Sequence, residues 1–260
     1  MHSIVDVAVR PEFTVRSVIC RDDHRGWSAV EVRDVHSVVF PRRGRFRRQA
    51  SGAVADIGPA LGYLGVPGEE ERFAHPAGGD VCTWLSLSPA SWRLLTGDET
   101  GGRGRTVYVD ARLDLAHRRL LAAGRGGDVD YALSEELLRL LAMAVRKPLP
   151  TLSGRALAGA ARDAIDAGHL AAASLLGLAE LLGVSPYRLS RAFTRDVGIS
   201  LTRYRNRVRV GKVLDSLEAG ETRLSALAAD LGFADQAHLC RTVRDHLGHT
   251  PTALRRLLSS

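Results

Sequence analysis

The feature that most constrains the fold of this chain is a repeat of about fifty residues near its C-terminal end. Self-similarity at a fixed spacing indicates two copies of one supersecondary unit. The first part of the unit recurs after 49 residues and the second part after 50, so the second copy is one residue longer in its turn. The matched pairs are Ala179/Ala228, Gly183/Gly232, Leu189/Leu239, Arg191/Arg241, Phe193/Val243, Gly198/Gly248 and Ser200/Thr250.

The first copy predicts a helix, a tight turn and a second helix. Residues 175–182 place Leu and Ala at helical spacing, and Gly183 supplies the positive φ that ends a helix. Ser185 is a good N-cap with proline directly after it, so a second helix is predicted over 186–196. Its inward positions are Leu189, Ala192 and Phe193.

The second copy repeats this plan. Residues 224–231 predict the first helix, and Gly232 with Phe233 makes the turn. Asp235 is the N-cap of a helix over 236–246 that buries Leu239 and Val243.

Each second helix has an apolar back and a polar front. Arginine pairs bidentately with guanine, so such a front suits a DNA major groove, although a single helix of this kind could equally present an ordinary solvated face. Two matched copies make coincidence less probable than one. The outward residues are Tyr187, Arg188, Ser190, Arg191 and Arg195 in the first copy, and Gln236, His238, Arg241 and Arg244 in the second.

Residues 200–219 join the copies and show no break in helical pattern. A helix of 20 residues spans about 30 Å, and successive major-groove faces lie about 34 Å apart. The spacer could therefore set two recognition helices into adjacent turns of DNA. Its basic run is interpreted as lying near the phosphates: Arg203, Arg205, Arg207, Arg209 and Lys212.

The first half of the chain has a different character. Residues 1–112 contain short β-branched runs separated by Gly and Pro clusters, which predicts a β-sandwich or small barrel. Residues 113–150 form a linker region, in which 130–145 predicts an amphipathic helix that either dimerises or packs on the β-domain. The helical DNA-binding part covers 151–260. The fold class is thus α+β with more than one domain.

Charge and cysteine content set the chemical context. The net charge is +7, and residues from Arg155 onward hold fifteen Lys/Arg against ten Asp/Glu, which favours an anionic partner. Three sparse cysteines fit a reducing compartment. The N-terminus lacks the apolar core of a signal peptide, and the longest apolar stretch, 170–184, is too short to span a bilayer. We expect a cytoplasmic protein with no membrane partner.

Two segments carry a family resemblance. SPYRLSRAFTRDVGIS and LAADLGFADQAHLCRTVRDHLGHTP resemble the DNA-binding domain of AraC/XylS-type transcription regulators. The resemblance implies seven helices, a bipartite site on double-stranded DNA, contact with RNA polymerase and a homodimer. Carried over by position, the reading residues are Tyr187, Ser190 and Arg191 in the first copy, and Gln236, Ala237, His238 and Arg241 in the second. Ala237 stands where serine is usual, so it offers no hydrogen bond.

The N-terminal half resembles the cupin-like domain of such regulators through SVVFPRRGRFRR and PGEEERFAHPAGGDVC. This resemblance implies effector sensing, dimerisation, or both. No complete metal-cupin histidine pattern is visible, so no catalytic residue and no cofactor is assigned, although a small-molecule or metal effector remains open. The hypothesis is a non-enzymatic regulator, in the first instance an activator. The alternative is a metal-dependent cupin enzyme fused to a DNA-binding domain.

Two clusters in the N-terminal half leave their roles open. Cys20, His24, His75 and Cys82 form an approximate zinc-type ligand set if the strands bring them together, and otherwise are four unrelated structural residues. The arginines between positions 42 and 48 either attract an acidic effector or DNA, or are divided between two faces of a strand.

Overall fold

The structure is a computed structural model that describes residues 2–96, 105–145, 148–149 and 156–259. The chain divides into two compact units, each of which takes two segments of the sequence. The N-terminal unit consists of Met1–Val109 and Gly127–Gly154, and the C-terminal unit consists of Asp110–Gly126 and Arg155–Ser260. The region 113–150, which the sequence analysis treated as one linker, is therefore shared between the units, and the boundary near Pro150 lies outside the described residues.

Among the described residues, the strands lie in the N-terminal unit. They are β1 (His2–Val9), β2 (Phe13–Cys20), β3 (Glu31–Val32), β4 (His36–Arg43), β5 (Phe46–Ala50), β6 (Ala53–Ile57), β7 (Leu61–Gly65), β8 (Glu70–Ala74), β9 (Asp80–Leu87), β10 (Thr106–Tyr108) and β11 (Pro148–Leu149).

Along the chain, the first three α-helices lie between the last strands, and the others follow the final strand. They are α1 (Pro89–Thr96), α2 (Ala111–Gly126), α3 (Ser134–Val145), α4 (Ala156–Asp166), α5 (Leu175–Leu181), α6 (Pro186–Val197), α7 (Leu201–Glu218), α8 (Leu224–Asp230), α9 (Gln236–Leu247) and α10 (Pro251–Ser259). A π-helical turn, Val129–Leu133, precedes α3, and a 3-10 turn, Leu170–Ala173, precedes α5. Among the described residues, no helix has the length and hydropathy needed to cross a membrane.

The N-terminal unit is built from two antiparallel sheets. One has the strand order β1-β2-β9-β4-β7-β10-β11, and the other has the order β3-β8-β5-β6. Both sheets contribute to one apolar cluster, in which Val39 and Tyr63 from the larger sheet meet Phe46, Ile57 and Phe73 from the smaller sheet. The predicted β-rich N-terminal part is confirmed. The shortest of its strands before β10 is β3, in which only Glu31–Val32 is extended and paired.

Alternation on β5 decides the role of its arginines. Arg47 points to the exposed side and lies over the Trp27 ring at 5.7 Å. Arg48 is 2% exposed and bonds to Glu71 at 2.6 Å and to Glu69 at 2.8 Å. Because a buried, fully paired guanidinium cannot attract an external anion, the structure supports the interpretation that divides this cluster between two faces.

The C-terminal unit is helical, as predicted, with seven α-helices among its described residues after position 155. Its core joins α7, α8, α9 and α10 to α2, which arrives from far earlier in the chain. Ala111 and Leu115 of α2 belong to the same apolar cluster as Val210 and Leu239. The helical unit therefore needs α2 in addition to the repeat region.

Candidate DNA-binding interface and N-terminal pocket

The first repeat forms a helix-turn-helix made of α5 and α6. Gly183 in the turn has φ +63°, as the sequence predicts. The Ser185 hydroxyl accepts a hydrogen bond from the Arg188 backbone N–H at 3.2 Å, which caps the start of α6. On the inner side of α6, Phe193 is fully buried and meets the Tyr204 ring edge-on at 5.4 Å. These contacts fix which face of α6 remains outside.

The outer face of α6 carries the predicted residues. Tyr187, Arg188, Arg191 and Arg195 are exposed, and Ser190 is half-buried. Arg191 Nη1 donates a hydrogen bond to the Tyr187 hydroxyl at 2.8 Å, and its guanidinium lies 5.5 Å from the centre of that ring. Arg195 instead pairs with Asp196 at 2.8 Å. Arg191 is thus oriented by a neighbour that leaves its charge uncompensated, whereas the charge of Arg195 is neutralised.

The second repeat forms the same structure from α8 and α9. Its helices have the same lengths as those of the first repeat, seven and twelve residues. Gly232 in the turn has φ +68°. The Asp235 carboxylate accepts from the His238 backbone N–H at 2.6 Å, so α9 has the predicted N-cap. Both recognition-type helices also end on a left-handed glycine, Gly198 and Gly248.

The outer face of α9 is less uniformly exposed than the sequence suggests. Gln236, Ala237, Arg241 and Arg244 are exposed. His238 is half-buried, because its ring meets Phe233 edge-on at 5.5 Å and its Nδ1 accepts from the Ala234 N–H at 3.2 Å. In the neutral ring this bond leaves the proton on Nε2, which is therefore the atom of His238 able to donate to an acceptor outside the protein.

The helix between the repeats is α7, capped by Ser200, whose hydroxyl accepts from the Arg203 N–H at 3.2 Å. Its 18 residues correspond to a length of about 27 Å at 1.5 Å per residue. A continuous capped helix of this kind is a rigid connection, as the sequence predicts.

The interpretation of the α7 basic run as a phosphate-binding row was wrong for Arg207, and Arg209 is half-buried and held by contacts within the protein. Arg207 is 4% exposed and lies 3.4 Å from Asp114 of α2. Arg209 donates to the Gly232 carbonyl and stacks over Phe233 at 4.9 Å. Arg207 therefore holds α7 to α2, and Arg209 holds α7 to the turn of the second repeat. Side chains along one helix point in several directions, so they meet different neighbouring elements. Arg203 is exposed, and Arg205 and Lys212 are half-buried.

A buried ion-pair cluster fixes α2 on the C-terminal unit. Arg118 bonds to Asp114 at 3.1 Å, to Asp215 at 2.9 Å and to Glu218 at 2.8 Å. Burial raises the pKa of Asp114, but the charges of Arg207 and Arg118 outweigh it, so this pKa is lowered on balance. The sequence analysis did not predict this cluster, because Asp114 and Arg118 lie far from Asp215 and Glu218 in the sequence.

The N-terminal unit contains a cavity of about 530 Å³. The four Cys/His candidates line it together, and so does Asp80, which the sequence analysis did not select. Cys20 Sγ, one ring nitrogen of His75 and one carboxylate oxygen of Asp80 lie within 4.8 Å of one another, and all three residues are buried. Asp80 stands two residues before Cys82 on β9, so strand alternation was the signal that could have found it.

The remaining candidates contact this trio from outside. His24 Nε2 lies 3.4 Å from His75 Nδ1, and the Cys82 thiol donates to Asp80 Oδ2 at 2.9 Å. Burial, reinforced by the charge of Asp80, raises the pKa of Cys82 well above its usual value. An apolar wall completes the cavity, formed by Phe46, Tyr63, Phe73 and Trp84.

Comparison with known proteins agrees with the helical geometry. A family model described as a helix-turn-helix domain matches residues 178–257. The chain is 34% identical over 120 residues to the HTH-type transcriptional regulator RipA of Corynebacterium glutamicum, covering 46% of this chain and 35% of RipA. It is 38% identical over 66 residues to YbfI of Bacillus subtilis, an HTH-type transcriptional regulator described as uncharacterized, covering 25% of this chain and 24% of YbfI.

Among solved structures, the C-terminal domain of AraT, a response regulator from Geobacillus stearothermophilus, is 28% identical, with a TM-score of 0.37. The match covers 41% of this chain and 88% of that domain. The chain spans about a third of RipA and about a quarter of YbfI. Residues 178–257 of this chain are a helix-turn-helix domain.

Proposed function

We propose that this chain is a sequence-specific transcription regulator that inserts α6 and α9 into adjacent major grooves of one bipartite DNA site. The observation that carries the proposal is the pair of matched helices, equal in length, capped at the same position and exposed on the same face. Four arginines on these faces have no carboxylate partner among the described residues: Arg188, Arg191, Arg241 and Arg244. Such unpaired exposed guanidinium groups suit phosphate and guanine contacts.

The two repeat-matched arginines are the proposed base readers. Arg191 is held by Tyr187, so its side chain loses less conformational entropy when it binds a base edge. Arg241 occupies the equivalent position of α9 and is exposed. Gln236 has the amide that can pair bidentately with adenine, and Ala237 can contact a thymine methyl group.

The other proposed contacts play supporting parts. Ser190 and the Nε2–H of His238 can bond to phosphate or base edges, and Arg188 and Arg244 can bind phosphates. Arg195 would have to leave Asp196 before it could bind DNA, so its contribution is proposed to be smaller.

The sensing role belongs to the N-terminal unit, whose cavity has the size of ordinary ligand sites. We propose that a small molecule or ion bound there gates DNA binding, that the regulator acts as a homodimeric activator contacting RNA polymerase, and that it works in the cytoplasm. Both curated relatives carry the names of transcriptional regulators, which supports a non-enzymatic role.

Selection of bound duplexes from a random library by purified full-length protein tests the proposal. The parent should recover a motif with two half-sites, and Arg191→Ala and Arg241→Ala should each lose sequence preference in a different half. Arg125→Ala, which removes an exposed charge from the end of α2, is the control and should recover the parental motif. Recovery of no motif, or the same motif by both recognition variants, would contradict the proposal.

A further inference from the structure

The buried trio in the N-terminal cavity has the composition and spacing of an incomplete metal site. We propose that Cys20 Sγ, His75 Nε2 and Asp80 Oδ1 bind one zinc-type divalent cation, with a fourth coordination position open to the cavity. The inference concerns the N-terminal unit and does not depend on DNA binding by α6 and α9.

The fold brings the three donors together by two separate devices. Cys20 and Asp80 stand directly opposite each other in the antiparallel register of β2 and β9. Their strands meet closely at Gly79, where a Cβ atom would lie 2.2 Å from the Cys20 carbonyl oxygen. His75 follows β8 in the other sheet and is tied to the preceding loop by its N–H, which donates to the His24 carbonyl at 2.9 Å. The site therefore lies between the two sheets.

The hydrogen bonds of the two histidines define which nitrogen of His75 is bare. His24 Nδ1 lies 2.8 Å from the Gly26 carbonyl, which can only accept, so this nitrogen carries the proton. In the neutral ring, His24 Nε2 is then an acceptor, and it lies 3.4 Å from His75 Nδ1, within reach of a proton on that nitrogen. In the His75 tautomer that carries its proton on Nδ1, Nε2 is unprotonated and points to the other side of the ring.

That bare nitrogen faces a carboxylate oxygen that also lacks a donor. Asp80 Oδ1 lies 3.0 Å from His75 Nε2, and it accepts no hydrogen bond from any described residue. Both groups are buried, at 5% exposure each. Two lone pairs this close in a buried site repel each other unless a proton or a metal cation lies between them, since an unsatisfied buried acceptor is costly.

The groups around the trio act as supports of a ligand set. The Cys82 thiol bonds to Asp80 Oδ2, which leaves Oδ1 directed at the other donors. His24 plays the same part for His75, because a hydrogen bond to the second ring nitrogen fixes the orientation of a ligating imidazole. The four residues singled out in the sequence thus separate into two ligands, Cys20 and His75, and two supports, His24 and Cys82.

The donors select the class of ion. One thiolate, one imidazole and one carboxylate form the mixed S, N, O set that zinc accepts, with bond lengths of about 2.0–2.3 Å. The three donor atoms lie within 4.8 Å of one another. Two bonds of at most about 2.3 Å span at most about 4.6 Å, so the side chains close slightly around the ion when it binds. Binding replaces the thiol proton of Cys20, which is released, and the two negative ligands then neutralise the divalent charge. An open fourth position is typical of sites that take a water or small ligand.

Cobalt(II) provides the direct test, because it occupies zinc sites and its thiolate complexes absorb light. Full-length protein, reduced and stripped with a chelator, is titrated with cobalt(II) and followed by absorbance. The expected result is one equivalent bound, with thiolate-to-cobalt charge-transfer and four-coordinate bands that zinc(II) abolishes. No binding, as expected if the bare nitrogen is filled by a proton alone, would overturn the proposal.

Matched variants locate the site. Cys20→Ser and Asp80→Asn, both nearly isosteric, should remove the cobalt bands, and Cys82→Ala should weaken binding about 10–100-fold as a supporting residue. Cys240→Ser, in the C-terminal unit, is the control and should bind like the parent. Circular dichroism must show parental secondary structure in each variant. Bands that persist in Cys20→Ser, or disappear in Cys240→Ser, would place the metal elsewhere and overturn the assignment. The optical readout separates this failure from any failure of DNA binding.

Discussion

At the residue scale, the arginines of the C-terminal unit show how burial divides one residue type into two roles. Arg118 and Arg207 are buried beside Asp114 and hold helices together. Arg191 and Arg241 are exposed and have no carboxylate partner among the described residues. Sequence spacing assigned the exposed arginines correctly to an outer face, but it also placed Arg207 outside. Its partner lies in a different segment of the chain, and local periodicity carries no information about such a partner.

Replacement of Asp114 by asparagine should strongly destabilise the C-terminal unit, because it leaves two buried guanidinium groups without their shared anion. The loss expected at pH 7 is about 3–5 kcal/mol in the free energy of unfolding. Urea denaturation followed by circular dichroism measures it. Asp230→Asn, an exposed change on α8, is the control and should stay within about 0.5 kcal/mol of the parent.

The pH dependence of the parent follows from the same carboxylate. The pKa of Asp114 is lowered in the folded chain, so its ionised form stabilises the fold above the ordinary aspartate value of about 3.9. This stabilisation is lost as the pH falls through the lowered folded value. Asp114→Asn should lack that component, and an identical pH profile in both proteins below about pH 4 would contradict the account.

At the element scale, the repeat units are the part of the fold that sequence predicts best. Their turn glycines, the caps Ser185 and Asp235, and the helix bounds all rest on local signals that act over a few residues. The position of α2 and the trio around Asp80 were not predicted. Both depend on contacts between distant segments, the first on helix packing and the second on the β2–β9 register.

The contribution of α2 can be measured with two fragments. Residues 155–260 contain the whole repeat region but lack α2, so Arg207 loses Asp114, and the apolar cluster loses Leu115. Residues 110–260 keep these contacts and should have a higher melting temperature. Arg118→Ala in the longer fragment should remove most of the gain, since Arg118 joins α2 to Asp215 and Glu218. Equal melting temperatures for the two fragments would contradict the role given to α2.

At the scale of the whole molecule, the net charge of +7 favours an anionic partner. Composition alone does not separate specific recognition from general phosphate binding, because both release counterions. The matched faces of α6 and α9 favour specific recognition over general phosphate binding, since arginines at equivalent positions can read bases in two half-sites.

Salt dependence of binding tests this division of labour. Affinity for a selected site should fall by about 10³–10⁵ between 50 and 200 mM salt if six to ten phosphates are contacted. Arg188→Ala, which removes a proposed phosphate contact, should reduce the slope of log affinity against log salt by about 1. Fluorescence anisotropy gives the slopes, with Arg125→Ala as the variant expected to keep the parental value. An unchanged slope in Arg188→Ala would remove that residue from the interface.

We propose that two helices of one chain read two neighbouring half-sites, and hydroxyl-radical footprinting at saturating protein tests this proposal most directly. On a selected fragment, the parent should protect two patches on one face of the duplex, about 10–10.5 base pairs apart. Arg191→Ala should weaken protection in one patch and Arg241→Ala in the other. A single patch, or equal loss from both patches in both variants, would contradict the two-helix account.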